Sequence, residues 1–233
     1  MKILVADDDK EIVELLSIYL QNEGYEPVKA YDGKDALSKV RTNPDIELLI
    51  LDIMMPEVDG MQVVKALRKE SQIPIIMLTA KSTDMDKIKG LVAGADDYVT
   101  KPFNPLELIA RVKSQLRRYT VFGNYANKKE ETTEIISSGG LSLNPEAKEV
   151  LIDGELIKLT ATEFGILELL LRNQGRVFSI DEIYEKVWKE PSYNAENTVA
   201  VHIRRIREKI EINPKDPKYL KVVWGIGYKI EKH

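Results

Sequence analysis

The 233-residue chain contains no cysteine. Disulfide bonds, thiolate metal sites and catalysis by a thiol are therefore excluded. The chain also lacks an uninterrupted apolar run of about 18 residues, the length that a membrane-spanning helix needs. Its start, MKILVADDDKEI, reaches acidic residues too soon for a signal peptide. Together these absences predict a cytoplasmic protein that has no membrane partner.

An overall excess of basic residues is missing as well, because the net charge is -4. Residues 1–118 hold 17 basic and 20 acidic side chains, and residues 139–233 hold 15 of each. Contact with nucleic acid would therefore require a local cluster of basic side chains. The length suits two domains, each long enough to bury its own core.

The first half of the chain alternates apolar, β-branched runs with helical patterns. The predicted strands are Ile3–Ala6, Pro27–Ala30, Leu48–Leu51, Ile75–Leu78 and Tyr98–Thr100. The predicted helices are Glu11–Asn22, Gly33–Arg41, Gly60–Glu70, Asp84–Ala93 and Pro105–Tyr119. Five such units predict an α/β domain, residues 1–118, with a doubly wound parallel sheet. In that architecture ligands bind at the carboxyl ends of the strands.

The second half has a different pattern. Residues 119–138 are predicted to be a linker, because Val121–Ser138 is rich in Gly, Asn and Ser and lacks periodicity. Residues 139–233 are predicted to form short strands, three helices and a final hairpin, which is typical of a winged helix-turn-helix. The predicted strands are Leu141–Leu143, Glu149–Ile152 and Ile157–Leu159, with a turn at Asp153-Gly154; the helices are Ala161–Asn173, Ser179–Trp188 and Asn197–Ile210; the hairpin strands are Leu220–Trp224 and Tyr228–Glu231.

Acidic residues follow two strands that are neighbours in this sheet order. Asp7, Asp8 and Asp9 follow the first strand, and Asp52 follows the third. Carboxylates that converge repel one another unless a cation lies among them, and all-oxygen ligands suit Mg²⁺. A solvated acidic loop that caps the first helix is the alternative for Asp7–Asp9 alone. The acid at the end of a second strand favours a metal site.

Two further strands end in residues that fit the same site. Thr79 would bring a hydroxyl group to it, and Lys101 an ammonium group. A carboxylate, Mg²⁺, a hydroxyl and a lysine at one sheet edge suit transfer of a phosphoryl group onto the carboxylate. The cations would neutralise charge on the oxygens of the transferred group.

Residues 1–118 resemble a response-regulator receiver domain, on the motifs DDD, LDIMMPEVDG, MLTA and KPF in that order. The resemblance implies that Asp52 accepts the phosphoryl group from a sensor histidine kinase. It implies Mg²⁺ ligation by Asp7 through water, by Asp8 directly, by Asp52 and by the carbonyl of Met54; Asp9 is left out. It also implies that Thr79 and Tyr98 are the hydroxyl and the aromatic residue that respond to phosphorylation. The peptide bond between Lys101 and Pro102 is expected to be cis.

The helix Asn197–Ile210 carries the basic cluster that the net charge did not reveal. Val199, Ile203, Ile206 and Ile210 recur at helical spacing and predict a buried stripe. Away from this stripe we place Asn197, Thr198, His202, Arg204, Arg205, Arg207 and Lys209. A solvated helix face is the plainer interpretation, but a third helix before a hairpin favours a recognition helix in the DNA major groove.

Residues 139–232 resemble the winged-helix effector domain of OmpR/PhoB-type response regulators, on LTATEFGILELLL, VAVHIRRIREKI and VVWGIGYKI. The resemblance implies contacts to double-stranded DNA, on tandem or paired half-sites, and to RNA polymerase. The candidate DNA contacts are Asn197, Thr198, His202, Arg204, Arg205, Arg207 and Trp224. Trp224 stands where the family often has arginine; it could pack on the sugar-phosphate backbone or in the wing's core, and we favour the core.

The receiver resemblance also implies a symmetric homodimer that forms on phosphorylation. Its interface would use salt bridges between partners, Lys87–Glu107, Asp97–Arg111 and Asp96–Arg118. Dimerisation would bring two winged helices to adjacent half-sites and raise their effective concentration.

Two other functions compete with a transcription switch. One is a phosphatase or phosphotransferase with an aspartate nucleophile, but such enzymes need a general acid two residues on, where this chain has Met54. The other is a dimerisation module that works without phosphorylation. We expect no enzyme beyond slow self-phosphorylation and self-dephosphorylation. PIIMLTAK, KPFNPLELIARVKSQLRRY and VVWGIGYKIEK resemble regulators of glycopeptide (vancomycin) resistance, which implies cell-wall genes as targets.

Overall fold

The computed structural model describes residues 1–80, 93–122, 135–189 and 195–233. Contacts divide the chain into two compact units, Met1–Arg117 and Arg118–His233. In the part of the chain that is described, no helix has both the length and the apolar content required to cross a membrane. The domain bounds given above stay a prediction.

The first unit is a parallel sheet in the order β2-β1-β3-β4-β5, covered by helices. Its described elements are β1 (Lys2–Ala6), α1 (Lys10–Asn22), β2 (Glu26–Ala30), α2 (Gly33–Thr42), β3 (Ile46–Asp52), α3 (Gly60–Leu67), β4 (Ile75–Ala80) and β5 (Asp97–Lys101). A further helix, α4 (Pro105–Phe122), begins in this unit and continues past Arg117. The predicted α/β fold class is confirmed.

Both faces of this sheet are buried, which explains its continuous apolar strands. In β1, Leu4 belongs to one core cluster, and the next residue, Val5, belongs to another. The first cluster includes Val63 of α3, and the second includes Val112 of α4. Because described helices cover both faces, we expect a site at the carboxyl ends of the strands.

The second unit combines a small antiparallel sheet, three helices and a hairpin. Its described elements are β6 (Ile136–Ser138), β7 (Leu141–Asn144), β8 (Glu149–Ile152), β9 (Glu155–Leu156), α5 (Ala161–Arg172), α6 (Ile180–Trp188), α7 (Ala195–Ile210), β10 (Leu220–Val223) and β11 (Gly227–Ile230). Thr160 and Ser179 cap α5 and α6, each with a reciprocal glutamate three residues on. Asp153 and Gly154 have φ of 49° and 89°, as a tight hairpin turn between β8 and β9 requires.

Two details differ from the sequence predictions. The strand predicted at Ile157–Leu159 is wrong, because the strand after the turn is the shorter β9, Glu155–Leu156. The predicted linker includes β6, Ile136–Ser138, which pairs with β7. The helix predicted at Asp84–Ala93 lies almost entirely outside the described residues.

Candidate functional site

Three carboxylates meet where β1 and β3 end. The two strands pair in parallel up to Ala6 and Leu51, so Asp7 and Asp52 emerge side by side. One oxygen from each of Asp7, Asp8 and Asp52 lies within 4.8 Å of the others. Asp7 is 0% and Asp52 4% exposed, whereas Asp8 is exposed to solvent. The predicted convergence of the acids at this sheet edge is therefore present in the fold.

Lys101, the last residue of β5, reaches the same point. Its Nζ lies 2.6 Å from Asp7 Oδ2 and 2.6 Å from Asp52 Oδ1. Burial alone would lower the pKa of Lys101, but its hydrogen bonds to Asp52 and Asp7 raise that pKa above its usual value. Burial also raises the pKa of Asp7, against the opposing effect of Lys101. The Lys101–Pro102 peptide bond is cis, as the resemblance implied.

The other oxygen of Asp52 is held by the loop that follows β3. The backbone N–H of Met54 donates to Asp52 Oδ2 at 2.5 Å. The side chain of Met54 is 73% exposed. Gly60, the first residue of α3, packs so closely that a Cβ there would lie 2.1 Å from the Asp52 carbonyl oxygen. The loop therefore fixes both the backbone and the carboxylate of Asp52.

The remaining predicted site residues lie on the two outer strands. Thr79 is near the end of β4, pairs with Thr100 of β5 and is 2% exposed. Tyr98 is partly buried on β5 and packs against the core cluster that contains Leu51. Asp9 is the N-cap of α1 and accepts from the backbone N–H of Glu11 at 2.9 Å. The capping alternative is therefore correct for Asp9.

The donor set fits a hard divalent cation. Three carboxylates converge with the single ammonium of Lys101, which leaves the cluster negatively charged. All available side-chain donors are oxygens, the ligands that Mg²⁺ prefers. The arrangement can thus hold Mg²⁺ beside the buried carboxylate of Asp52.

In the second unit, helix α7 turns much of its basic cluster inward. The buried stripe Val199, Ile203, Ile206 and Ile210 is present as predicted. However, the prediction that Thr198, His202 and Arg205 lie away from buried surface is wrong: they are 4%, 0% and 6% exposed. The His202 ring lies 5.5 Å from that of the buried Trp188. Whether these side chains contact DNA stays a prediction.

The other basic residues of α7 differ in their partners. Arg207 is partly buried, and its Nε donates to the carbonyl of Leu220 at 2.9 Å. Arg204 is exposed, and its Nε lies 2.8 Å from Glu208. Asn197 is partly exposed. Among the four basic residues at positions 204–209, Arg204 is therefore the one whose side chain is mostly exposed to solvent.

The wing exposes its aromatic residue. Trp224, which follows β10, is 87% exposed, and the neighbouring Ile226 is 61% exposed. The expectation that Trp224 packs in the wing's core is therefore wrong. Tyr228 of β11 packs against the core instead. An exposed tryptophan at a hairpin tip is available to a partner surface.

Four of the residues predicted for a dimer interface, Asp96, Asp97, Glu107 and Arg111, have partners within their own chain. Arg111 Nη1 lies 3.1 Å from Asp97 Oδ2, and Arg111 Nη2 lies 3.1 Å from Glu107 Oε1. Asp96 is 1% exposed and is held by Arg68 at 2.7 Å. Arg118, the first residue of the second unit, is 2% exposed, and Lys87 lies outside the described residues.

Three residues with clear structural roles escaped the sequence analysis. Arg68 donates to the carbonyls of Gly94 and Ile73 at 2.8 and 2.6 Å besides its pair with Asp96. Glu211 accepts three backbone N–H groups, from Lys218, Tyr219 and Leu220. Glu163 is 0% exposed between Arg205 and Lys209. Only Glu163 left a signal, since Thr160-x-x-Glu163 is a capping-box pattern.

A parallel sheet with an acid cluster and a lysine at its carboxyl edge, followed by a winged helix, defines a two-domain regulator with a receiver and a DNA-binding domain. Comparisons with protein families agree with this class. The response regulator receiver domain matches residues 3–113. The family described as transcriptional regulatory protein, C terminal, matches residues 154–230.

Full-length relatives show the family. The chain is 46% identical over 231 residues to the regulatory protein VanRc of Enterococcus gallinarum, with 99% of each chain covered. It is 46% identical over 232 residues to the regulatory protein VanR of Enterococcus faecium, again with 99% of each covered. The chain belongs to the OmpR/PhoB-type response regulators and is a transcriptional regulator.

Further relatives and solved structures extend the comparison. The uncharacterized transcriptional regulatory protein YrkP of Bacillus subtilis is 47% identical over 229 residues, which covers 98% of this chain and 97% of that protein. The Thermotoga maritima response regulator DrrB, an OmpR/PhoB homolog, is 35% identical with a TM-score of 0.50, covering 99% and 98% of the two chains. A RitR mutant is 24% identical with a TM-score of 0.75, covering 100% and 99% of the chains, and supports the fold alone.

Proposed function

We propose that Asp52 accepts a phosphoryl group from a sensor histidine kinase and that this modification controls DNA binding by the second unit. The observation that carries the proposal is the position of Lys101, whose Nζ lies 2.6 Å from both Asp7 and Asp52. A buried carboxylate would be costly without such a partner. Here the carboxylate is kept at a sheet edge, beside cationic charge, where a phosphoryl donor can approach.

Each residue has its own role in the transfer. An oxygen of Asp52 forms a bond to phosphorus while the bond from phosphorus to the kinase histidine nitrogen breaks, and that nitrogen keeps the electron pair. Lys101 neutralises charge on the phosphoryl oxygens, and the hydroxyl group of Thr79 donates a hydrogen bond to one of them. Asp7, Asp8, Asp52 and the Met54 carbonyl would hold Mg²⁺, which supplies further positive charge at the same oxygens.

Turnover of an outside substrate is not part of this function. A phosphatase that uses an aspartate nucleophile needs a general acid two residues further on, and Met54 offers none. We therefore expect only slow self-phosphorylation from small donors and slow hydrolysis of the product.

Labelling with acetyl [³²P]phosphate and Mg²⁺ tests the phosphoacceptor. We expect one labelled residue in wild type, loss of label in Asp52→Asn and full label in Asp9→Asn, which removes a neighbouring carboxylate outside the cluster. Omission of Mg²⁺ should reduce the label strongly. Undiminished label on Asp52→Asn would refute the proposal.

For the output, we propose that α7 enters the major groove of double-stranded DNA and that the wing contacts the adjacent backbone. Arg204 and Trp224 support this assignment, because both are exposed in the described structure. Two copies would occupy tandem or paired half-sites and engage RNA polymerase in the cytoplasm.

We also propose that two copies dimerise through the receiver. Formation of the dimer would require that an ion pair within each chain be broken. The pair Asp97–Arg111 already exists within one chain. Exchange of this pair for the same pair across a dimer conserves the number of ion pairs, so its net gain is small. The dimer should therefore depend on phosphorylation. Sedimentation of wild type with and without beryllofluoride tests this expectation, and a stable dimer in the unmodified protein would contradict it.

The target genes are proposed from motif resemblance alone: glycopeptide-resistance or other cell-wall genes. YrkP, described as an uncharacterized transcriptional regulatory protein, is 47% identical to this chain and VanR is 46% identical, so identity alone does not select the target genes. Neighbouring genes for a sensor kinase and a cell-wall ligase would support this target, and their absence would oppose it.

A further inference from the structure

The carboxylate of Glu163 lies at the centre of a buried polar cluster that joins two helices of the second unit. Its Oε2 accepts from Lys209 Nζ at 2.6 Å and from the backbone N–H of Thr160 at 2.9 Å. Its Oε1 lies 2.8 Å from Arg205 Nη2. Glu163 is on α5, whereas Arg205 and Lys209 are one turn apart on α7.

Because these contacts are buried, they restrict the movement of α7 against α5. The side chain of Glu163 is 0% exposed and that of Arg205 is 7% exposed. Burial alone would raise the pKa of Glu163, but the charges of Arg205 and Lys209 lower it to about 2, so the group is ionised at neutral pH. A buried charge is tolerated only when it is paired, so α7 can rotate against α5 only by breaking these pairs.

The basic cluster of α7 is thus divided between two surfaces. Arg204 lies outside with its side chain 64% exposed. Arg205 and Lys209 lie against α5, where Glu163 balances their charge. A cation that is paired within the protein releases no counterion when it approaches a phosphate unless the pair breaks.

We propose that Glu163 is a positioning residue for DNA binding, which fixes the rotation of α7 on α5 and withholds the charges of Arg205 and Lys209 from DNA phosphates. This inference rests on the proposed contact between α7 and DNA. Glu163 itself touches no DNA. It acts by making the surface of α7 that faces DNA less cationic than its sequence suggests, which lowers affinity for arbitrary DNA.

The test compares full-length wild type with Glu163→Gln on a random-sequence 30-base-pair duplex between 50 and 200 mM KCl. Each phosphate contact contributes about 0.9 to the slope of log K against log salt. Release of two cations should steepen the slope by up to about 1.8, so affinity falls about tenfold more across this range than for wild type. Glu168→Gln is the control, because Glu168 pairs within α5 with Arg172, whose side chain is 41% exposed.

A merely structural role would lower the active fraction without changing the salt slope. An unchanged slope for folded Glu163→Gln would therefore overturn the proposal. If Glu163→Gln does not fold, Lys209→Met provides the second measurement, since it removes a withheld cation and leaves the Arg205 pair. Its slope should equal that of wild type, and a slope flatter by about 0.9 would overturn the inference. Absence of salt-dependent binding by wild type would instead refute the proposed DNA contact.

Discussion

Acid should destabilise the second unit through one identifiable group, Glu163. Its pKa is held at about 2, below the ordinary value of 4.5, because Arg205 and Lys209 outweigh the effect of its burial. A carboxyl group whose pKa is depressed in the folded state stabilises that state above the ordinary pKa. This stabilisation is lost as pH falls from about 4.5 towards about 2.

The magnitude follows from the same shift. A pKa lowered by about 2.5 units corresponds to about 3 kcal/mol at neutral pH. About 2 kcal/mol of this should be lost by pH 3, because the unfolded chain is then almost fully protonated at this position and the folded chain is not. Such a loss is a large fraction of the stability of a typical domain.

Tryptophan fluorescence is a selective assay for this loss. The chain has two tryptophans, Trp188 and Trp224, and both lie in the second unit. Trp188 is fully buried, so urea unfolding in a Trp224→Phe background reports on that unit through a single residue. Other carboxyl groups titrate equally in wild type and in Glu163→Gln. The stability difference between the two should therefore shrink by about 2 kcal/mol from pH 7 to pH 3. A difference that stays constant over this range would refute the reasoning.

Three further changes test other parts of the structure. Gly60→Ala should slow labelling of Asp52 by acetyl phosphate more than tenfold, since the added Cβ would meet the Asp52 carbonyl oxygen at 2.1 Å; an unchanged rate would contradict this. Arg68→Met should destabilise the receiver by about 3–5 kcal/mol in urea unfolding followed by circular dichroism, because it leaves a buried carboxylate without its guanidinium partner. Trp224→Ala should change stability by less than about 0.5 kcal/mol, whereas Trp188→Ala should cost about 3–5 kcal/mol; equal costs would place Trp224 in the core after all.

The receiver site could be predicted because backbone topology alone brings its residues together. Asp7, Asp52, Thr79 and Lys101 each lie at or next to the end of a strand, and parallel strands end at one edge of the sheet. No knowledge of side-chain packing was needed to place them. What the sequence did not reveal was Gly60, because its role depends on a close approach to the Asp52 carbonyl that only the folded loop creates.

It is harder to predict which polar side chains of a recognition helix face solvent. The apolar stripe that includes Val199 and Ile206 was correctly identified from its spacing, but spacing does not say which polar residues beside the stripe also turn inward. That choice depends on a partner in another helix. Glu163 precedes Arg205 by 42 positions, so no local pattern in α7 predicts their pairing. The expectation that Trp224 packs in the wing's core was wrong for a similar reason, since the aromatic residue of this hairpin that packs against the core is Tyr228.

Because the pKa of Glu163 is low, its effect on DNA binding and its effect on stability should respond differently to pH. Between pH 5 and pH 8 the group is ionised in both the folded and the unfolded chain, because this range lies above its folded and ordinary values alike. Mild acid therefore cannot mimic Glu163→Gln in DNA binding, although strong acid should mimic its loss of stability. Glu163 is accordingly a fixed structural charge and not a pH sensor. Any regulation of DNA affinity through the contact between Glu163 and Arg205 must then come from movement of α7 relative to α5, since Glu163 does not change its charge at physiological pH.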